Sequence, residues 1–159
     1  MKTINLFSKI MLVASMTFIF ACNGEAKNDD QSKEVLNAYL AVKDALVKTD
    51  AGNAGEAAKK LVAVIGDSND ALLVKIAESA GEISQSNDVK AQRKSFNDLS
   101  ENVYQYMKGS EDLGVPVYRQ YCPMAFNNTG AYWLAAEKEV NNPYFGSMML
   151  HCGSVKEEL

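Results

Sequence analysis

The stretch VLNAYLAVKDALV, residues 35–47, carries the pattern that decides the predicted fold. This spacing of apolar side chains, by three, four and seven residues, is typical of one face of an α-helix. We expect that helix to cover roughly residues 33–50. A helix with a single apolar face is stable only when that face is buried against other elements. The apolar positions are Val35, Leu36, Tyr39, Leu40, Leu46 and Val47.

Three further stripes with the helical period follow along the chain. We expect Asp50-Ala51-Gly52-Asn53 to break the first helix, Ser68 or Asn69 to cap the third, and the fourth to run from 88 to 108. Short polar connections favour antiparallel neighbours. The prediction is an all-α, up-down bundle of about four helices, with an aromatic, Cys/Met-containing C-terminal segment packed on it. The stripes are Ala57, Ala58, Leu61, Val62 and Ile65; Leu72, Leu73, Ile76, Ala77, Ala80 and Ile83; and Phe96, Leu99, Val103, Tyr106 and Met107.

The N-terminus has the features of a secretion signal. Two lysines precede an apolar run, residues 10–21, that is shorter than the roughly 20 residues needed to span a bilayer. The run ends in Ile19-Phe20-Ala21-Cys22, which resembles a lipobox, where the cysteine receives a lipid and becomes the new N-terminus. We therefore predict a signal peptide over 1–21 and lipidation at Cys22. An ordinary secreted protein cut nearby, or an uncut anchor, is the alternative.

The features of the N-terminus predict the localisation of the protein and its domain organisation. We expect an exported, membrane-anchored lipoprotein in the periplasm or at the outer membrane, with a lipidated tether over 22–33. A single helical domain over 34–159 has enough residues to bury a core without help from disulfides or metals.

The charge of the chain excludes some classes of partner. Its net charge is −4, and it becomes −6 when cleavage removes two lysines with the signal. An acidic chain without a basic block is a poor candidate for binding nucleic acid. It is an equally poor candidate for binding anionic lipid heads, so only the lipid would hold it at a membrane.

The C-terminal segment, 117–155, differs from the rest in composition. Both remaining cysteines, the sole histidine and three methionines lie there, in the clusters Cys122-Pro123-Met124 and Met148-Met149-Leu150-His151-Cys152-Gly153. Seven aromatic side chains share this part of the chain: Tyr118, Tyr121, Phe126, Tyr132, Trp133, Tyr144 and Phe145.

The spacing within each cluster suits a soft metal. Pro123 disfavours helix at Cys122, and in an extended chain residues two apart point the same way, so Cys122 and Met124 would face one point. If 147–152 forms a short helix, Met148 or Met149 would lie beside Cys152. Thiolate and thioether ligands select Cu(I) over harder ions. The predicted ligands are Cys122, Met124, Met149 and Cys152, with Met148 and His151 as additional candidates.

Other interpretations of the same residues stay open. Cys122 and Cys152 would form a disulfide in an oxidising compartment, and thiol and disulfide states could alternate. Methionines beside aromatic rings often fill a core, and the aromatic segment could be a lid on the bundle. Zinc fits less well, because only Cys122, Cys152 and His151 are available as ligands of the usual type. The sequence holds no phosphate loop, nucleophile elbow or C-x-x-C pair, so we predict no enzyme and no organic cofactor.

Four motifs in order resemble the bacterial family called domain of unknown function 3347. They are residues 121–126 (YCPMAF), 130–134 (GAYWL), 142–146 (NPYFG) and 149–153 (MLHCG). The resemblance covers roughly 33–157, but its specific motifs lie in 121–153.

The resemblance implies an exported protein, either a small lipoprotein or a module fused to periplasmic adaptor subunits of heavy-metal efflux pumps. It therefore implies copper or a related soft cation, facing Cys122, Met124, Met149 and Cys152, and a metal efflux system or other envelope protein as partner. The residues that look like a scaffold for that site are Gly130, Trp133, Asn142, Pro143, Tyr144, Phe145 and Gly146.

Two functions follow from the sequence. The first is an exported lipoprotein that binds a soft metal ion, Cu(I) by preference, in envelope metal homeostasis or efflux. The second is a helical module tied by a disulfide between Cys122 and Cys152, which binds an envelope protein and no metal.

Overall fold

The computed structural model describes residues 29–159. The predicted signal peptide 1–21 and the lipidation site Cys22 lie outside the described residues. Among the helices of the described part, none is long and apolar enough to cross a membrane.

Four helices make up the first part of the fold. They are α1 (Asp29–Val47), α2 (Ala51–Ile65), α3 (Ala71–Gln85) and α4 (Val89–Met107). Each helix packs on the next one along the chain, and α4 also packs on α1. The predicted four-helix bundle is confirmed.

The first helix begins earlier than the sequence predicts, and it includes residues 29–33 of the expected tether. Two aspartates in its first turn stabilise this early start, because their negative charges lie at the positive end of the helix dipole. Ser32 is buried and its hydroxyl lies 2.7 Å from that of Ser110. Lys33 pairs with Asp112 at 2.7 Å. These contacts reach across about 80 residues of sequence, so helical periodicity does not reveal them.

Aspartates cap the three later helices, and two predicted boundaries were wrong. Asp70, rather than Ser68 or Asn69, caps α3, because its carboxylate accepts from the backbone N–H groups of Leu72 and Leu73 at 2.7 and 3.2 Å. The expected break over 50–53 is shorter, because Asp50 caps α2 and Gly52 and Asn53 lie in its first turn. Asp88 caps α4 in the same way.

The all-α prediction was wrong for the C-terminal part, which forms a small antiparallel sheet. Its strands are β1 (Tyr118–Cys122), β2 (Ala131–Ala135) and β3 (Ser154–Glu158), in the order β2-β1-β3. Each strand has five residues. A strand this short shows too few alternations for its period to stand out from a helical or irregular segment.

Aromatic side chains join this sheet to the bundle. Tyr39 of α1 stacks on Phe96 of α4 with ring centroids 5.4 Å apart. The Tyr39 hydroxyl lies 2.8 Å from that of Ser100 and accepts from the Leu134 backbone N–H of β2 at 3.0 Å. Phe96 also meets Tyr144, whose ring packs edge-on against Trp133. The segment that carries the sulfur clusters is therefore held on α1 and α4.

Candidate functional site

The two thiols that the sequence singles out lie in contact. Cys122 ends β1 and Cys152 lies two residues before β3, and their sulfurs are 2.9 Å apart although 30 residues separate them in sequence. The pairing of Tyr121 with Ser154 in the sheet brings the two segments together. Both cysteines are free.

The distance between the two sulfurs is longer than a disulfide bond and shorter than the distance between two thiolates that bind the same metal ion. A disulfide requires about 2.05 Å, so the sulfurs would have to approach. Metal–thiolate bonds of about 2.3 Å require a bridged pair to move apart. Gly153 follows Cys152 with a φ of 147°, a left-handed conformation that favours glycine. Because the sulfurs are 2.9 Å apart, a small displacement of them would allow either oxidation to a disulfide or binding of a soft metal ion.

The protonation of Cys152 depends on its partner. Hydrogen bonding to the Cys122 thiol raises the pKa of Cys152, burial raises it further, and the backbone N–H of Met124 opposes both. Cys122 is fully buried, whereas Cys152 is partly exposed. A metal ion would have to displace the Cys152 proton, since the thiolate is the form that ligates.

Cys-Pro-Met does not have the extended conformation that we predicted. The strand ends at Cys122, and Met124 has φ −88° and ψ −11°, which is a helical conformation. The chain turns at Pro123, so the alternation of side chains along a strand no longer applies. Cys122 is therefore buried, whereas Met124 is 47% exposed.

The second sulfur cluster is a turn and not the helix predicted over 147–152. Within 147–152 only the first two residues are helical, as the end of a 3₁₀ turn over Gly146–Met148. The Cys152 N–H donates to the Met149 carbonyl at 3.1 Å, so these two residues share one turn of backbone. Met148 is 74% exposed.

The thioethers gather in a groove beside the thiols. Met124, Met148 and Met149 line an open cavity of about 680 Å³, which we call the methionine groove. The cysteines do not belong to its lining. The remaining lining residues are Lys90, Arg93, Lys94, Ala125, Phe126, Asn127, Asn128, Tyr144 and Phe145.

His151 is exposed and turned toward the backbone. Its Nδ1 lies 2.8 Å from the carbonyl oxygen of Val140, so the Nδ1–H donates to that oxygen. Between residues 29 and 159, no three His, Cys, Asp or Glu side chains form a group that could hold a metal ion. A metal at the thiol pair would therefore draw further ligands from thioethers or the backbone.

Asn142 fixes the loop that carries Cys152. Its side-chain amide donates to the Cys152 carbonyl at 2.8 Å. Its side-chain oxygen accepts from the backbone N–H groups of Tyr144 and Phe145 at 2.8 and 3.3 Å. The Tyr144 hydroxyl donates to the Tyr132 carbonyl at 2.5 Å, which ties the same loop to β2.

Arg93 is a residue of this region that sequence reasoning missed. It is buried, its Nε donates to the Pro143 carbonyl at 2.7 Å, and an Nη donates to Leu46 and Thr49 at 3.1 Å each. Burial lowers the pKa of Arg93. Because an arginine on a helix normally indicates a solvated face, nothing in the sequence indicated that Arg93 is buried.

The turn at the groove has an unusual backbone. Phe126, Asn127 and Asn128 have φ values of 51°, 58° and 67°, and Phe126 and Asn127 fall inside the single-turn helix α5 (Ala125–Asn128). A left-handed conformation costs roughly 1–2 kcal/mol for an L-residue with a bulky side chain. Such strain persists where surrounding structure imposes it, often at functional sites. Consecutive asparagines before Gly130 were the available sequence signal, since asparagine tolerates this conformation.

No curated protein and no solved structure matches this chain. Residues 35–113 match the family described as Protein of unknown function (DUF3347). The matched residues cover most of the helical bundle and end before β1, so the sulfur clusters lie beyond them. The chain is a member of the DUF3347 family.

Proposed function

We propose that this protein is an exported lipoprotein that binds one soft metal ion, Cu(I) by preference, at Cys122 and Cys152. The role is in envelope metal homeostasis or efflux, as the family resemblance implies. The single observation that carries the proposal is the 2.9 Å contact between two free thiols from distant segments. Soft sulfur donors favour Cu(I).

The methionines supply the third ligand in this proposal. Met124 is the nearest in sequence to Cys122, and its backbone N–H already contacts Cys152. Met149 shares a backbone turn with Cys152. In this proposal one of these two thioethers completes a site with three sulfur ligands.

Anaerobic titration of the full-length chain with Cu(I), against a colorimetric Cu(I) chelator, tests the proposal. We expect one ion per chain, and a loss of about a hundredfold or more in affinity for Cys122→Ser/Cys152→Ser, since removing ligands costs at least as much as removing their supporting residues. Met124→Leu/Met149→Leu should weaken binding less than loss of the thiols.

Met107→Leu is the matched control, because Met107 is buried in the bundle and a change of methionine to leucine conserves volume. Its Cu(I) affinity should equal that of the unmodified chain. Equal, weak affinity of the unmodified protein and the double cysteine variant would rule out the thiol site.

The same contact also favours a second candidate, a helical interaction module tied by a disulfide. Thiols this close need little movement to form a disulfide in an oxidising compartment. Thiol counting on protein purified in air separates the candidates. A disulfide that resists mild reductant, in a protein indifferent to Cu(I), would favour the module.

A further inference from the structure

Exposed apolar side chains are concentrated in the methionine groove. Among the described residues, five large apolar side chains are exposed, and three of them lie in this groove: Met124, Phe126 and Met148. Methionine and aromatic side chains are enriched where proteins bind partners, because they adapt to different shapes. Clustered exposure of this kind marks an interaction site.

The charge at the groove is opposite to that of the molecule. The chain has a net charge of −4, yet the groove lining contains three basic residues and no acidic one. Arg93 is engaged by the backbone carbonyls already described. Lys90 and Lys94 are exposed and lie four residues apart on α4, so they share one face above the groove.

We infer that the methionine groove is a docking site for an acidic, apolar segment of a partner protein. Apolar side chains of that segment would occupy the space between the methionines and Phe126, and its carboxylates would pair with Lys90 and Lys94. Complementary charge at the rim speeds association and selects the partner.

The position of the groove suggests what docking accomplishes, and this part rests on the proposed metal-binding function. Met124 and Met149 line the groove and also adjoin the thiol pair. A partner seated there would contact the two methionines whose backbones hydrogen-bond to Cys152, and we propose that docking serves the transfer of a metal ion to or from the thiols.

Fluorescence anisotropy with labelled synthetic peptides tests the docking site on the full-length, metal-free protein. The probe is a peptide with Leu and Phe between Glu residues, and the comparison peptides have Lys for each Glu, or Ser for each apolar residue. We expect the acidic, apolar peptide to bind, and the other two to bind at least about tenfold more weakly. Added salt should weaken the binding.

Two variants with matched controls locate the site. Lys90→Glu/Lys94→Glu and Met148→Ser should each lower the affinity about tenfold. Lys60→Glu/Lys75→Glu changes charge equally on exposed positions of α2 and α3, and Val74→Ser removes an apolar side chain that is 39% exposed elsewhere. Neither control should change the affinity.

Several outcomes would overturn the inference. They are absence of peptide binding, equal binding of the lysine peptide, or equal loss in the control variants. Binding of phosphatidylglycerol vesicles instead, with the same dependence on Lys90 and Lys94, would assign the groove to a lipid surface. Cys122→Ser/Cys152→Ser should still bind the peptide, so failure of the metal proposal and failure of the groove can be told apart.

Discussion

At the scale of single residues, the reactivity of Cys152 depends on its neighbour. The Cys122 thiol raises the pKa of Cys152, and a thiol reacts with alkylating agents only as thiolate. In Cys122→Ala we expect the pH midpoint for alkylation of Cys152 to fall. Peptide mass spectrometry after timed exposure to iodoacetamide measures it. An unchanged midpoint would show that the thiols are not in contact in solution.

Gly146 is a residue whose small size the fold requires. Its φ is 58°, and a Cβ there would lie 2.4 Å from the Thr49 hydroxyl oxygen and 2.9 Å from the Val47 carbonyl oxygen. We expect Gly146→Ala to lower the free energy of unfolding by about 2–5 kcal/mol, from the left-handed backbone and overpacking together.

Gly66→Ala provides the matched comparison, measured by urea denaturation. Gly66 has nearly the same φ, 57°, but nothing lies within 4 Å of its Cβ position. It should lose only the backbone contribution, about 1–3 kcal/mol, because its ψ of −147° lies in a region that residues other than glycine rarely adopt. Equal losses at the two positions would contradict the close packing around Gly146.

At the scale of elements, the residue that caps α3 differs from the one that the sequence predicts. Asp70 accepts two backbone hydrogen bonds there. Asp70→Ala should therefore lower the free energy of unfolding by about 1 kcal/mol, and Asn69→Ala by much less. Thermal or urea unfolding of the two variants measures the difference. A larger loss at Asn69 would restore the cap that the sequence suggested.

The helices were predictable and the strands were not, for a physical reason. The predicted stripe from Val35 to Val47 extends over three turns, so its period is unambiguous, and its large members other than Val47 are buried or packed on the core. The strands have five residues each and depend on pairing partners remote in sequence, such as Arg119 with Leu134 and Gln120 with Val155. No local pattern contains that pairing.

The candidate site was predictable in its residue types but not in its geometry. Clustering of sulfur residues drew attention to Cys122 and Cys152, and the structure places them in contact. The expected convergence of Met124 rested on an extended chain, whereas a turn at Pro123 directs that side chain into the groove. The loop that carries Cys152 is held by the hydrogen bond from Asn142 to the Cys152 carbonyl, which sequence periodicity does not reveal.

At the scale of the whole molecule, buried tyrosines couple stability to alkaline pH. Burial raises the pKa of Tyr39 and of Tyr144 above the ordinary value of 10.0. Above pH 10.0 the unfolded chain releases these protons while the native state retains them, so the unfolded state binds fewer protons. The stabilisation is fully present below pH 10.0 and is lost as the pH rises above it.

Urea denaturation across this pH range tests that coupling. Each such tyrosine should contribute a loss of up to about 1.4 kcal/mol per pH unit in the free energy of unfolding. Tyr39→Phe should therefore show a shallower alkaline loss than the unmodified protein, although it starts from a lower stability without its two hydrogen bonds. Parallel pH profiles would contradict the burial of the Tyr39 hydroxyl.

We propose that two thiols from separate segments bind one soft ion. X-ray absorption at the copper edge, on the full-length chain loaded anaerobically with one equivalent of Cu(I), tests it most directly. We expect a first shell of sulfur atoms only, which Cys122→Ser/Cys152→Ser abolishes. A shell of nitrogen or oxygen atoms, or a sulfur shell that survives in that variant, would contradict it.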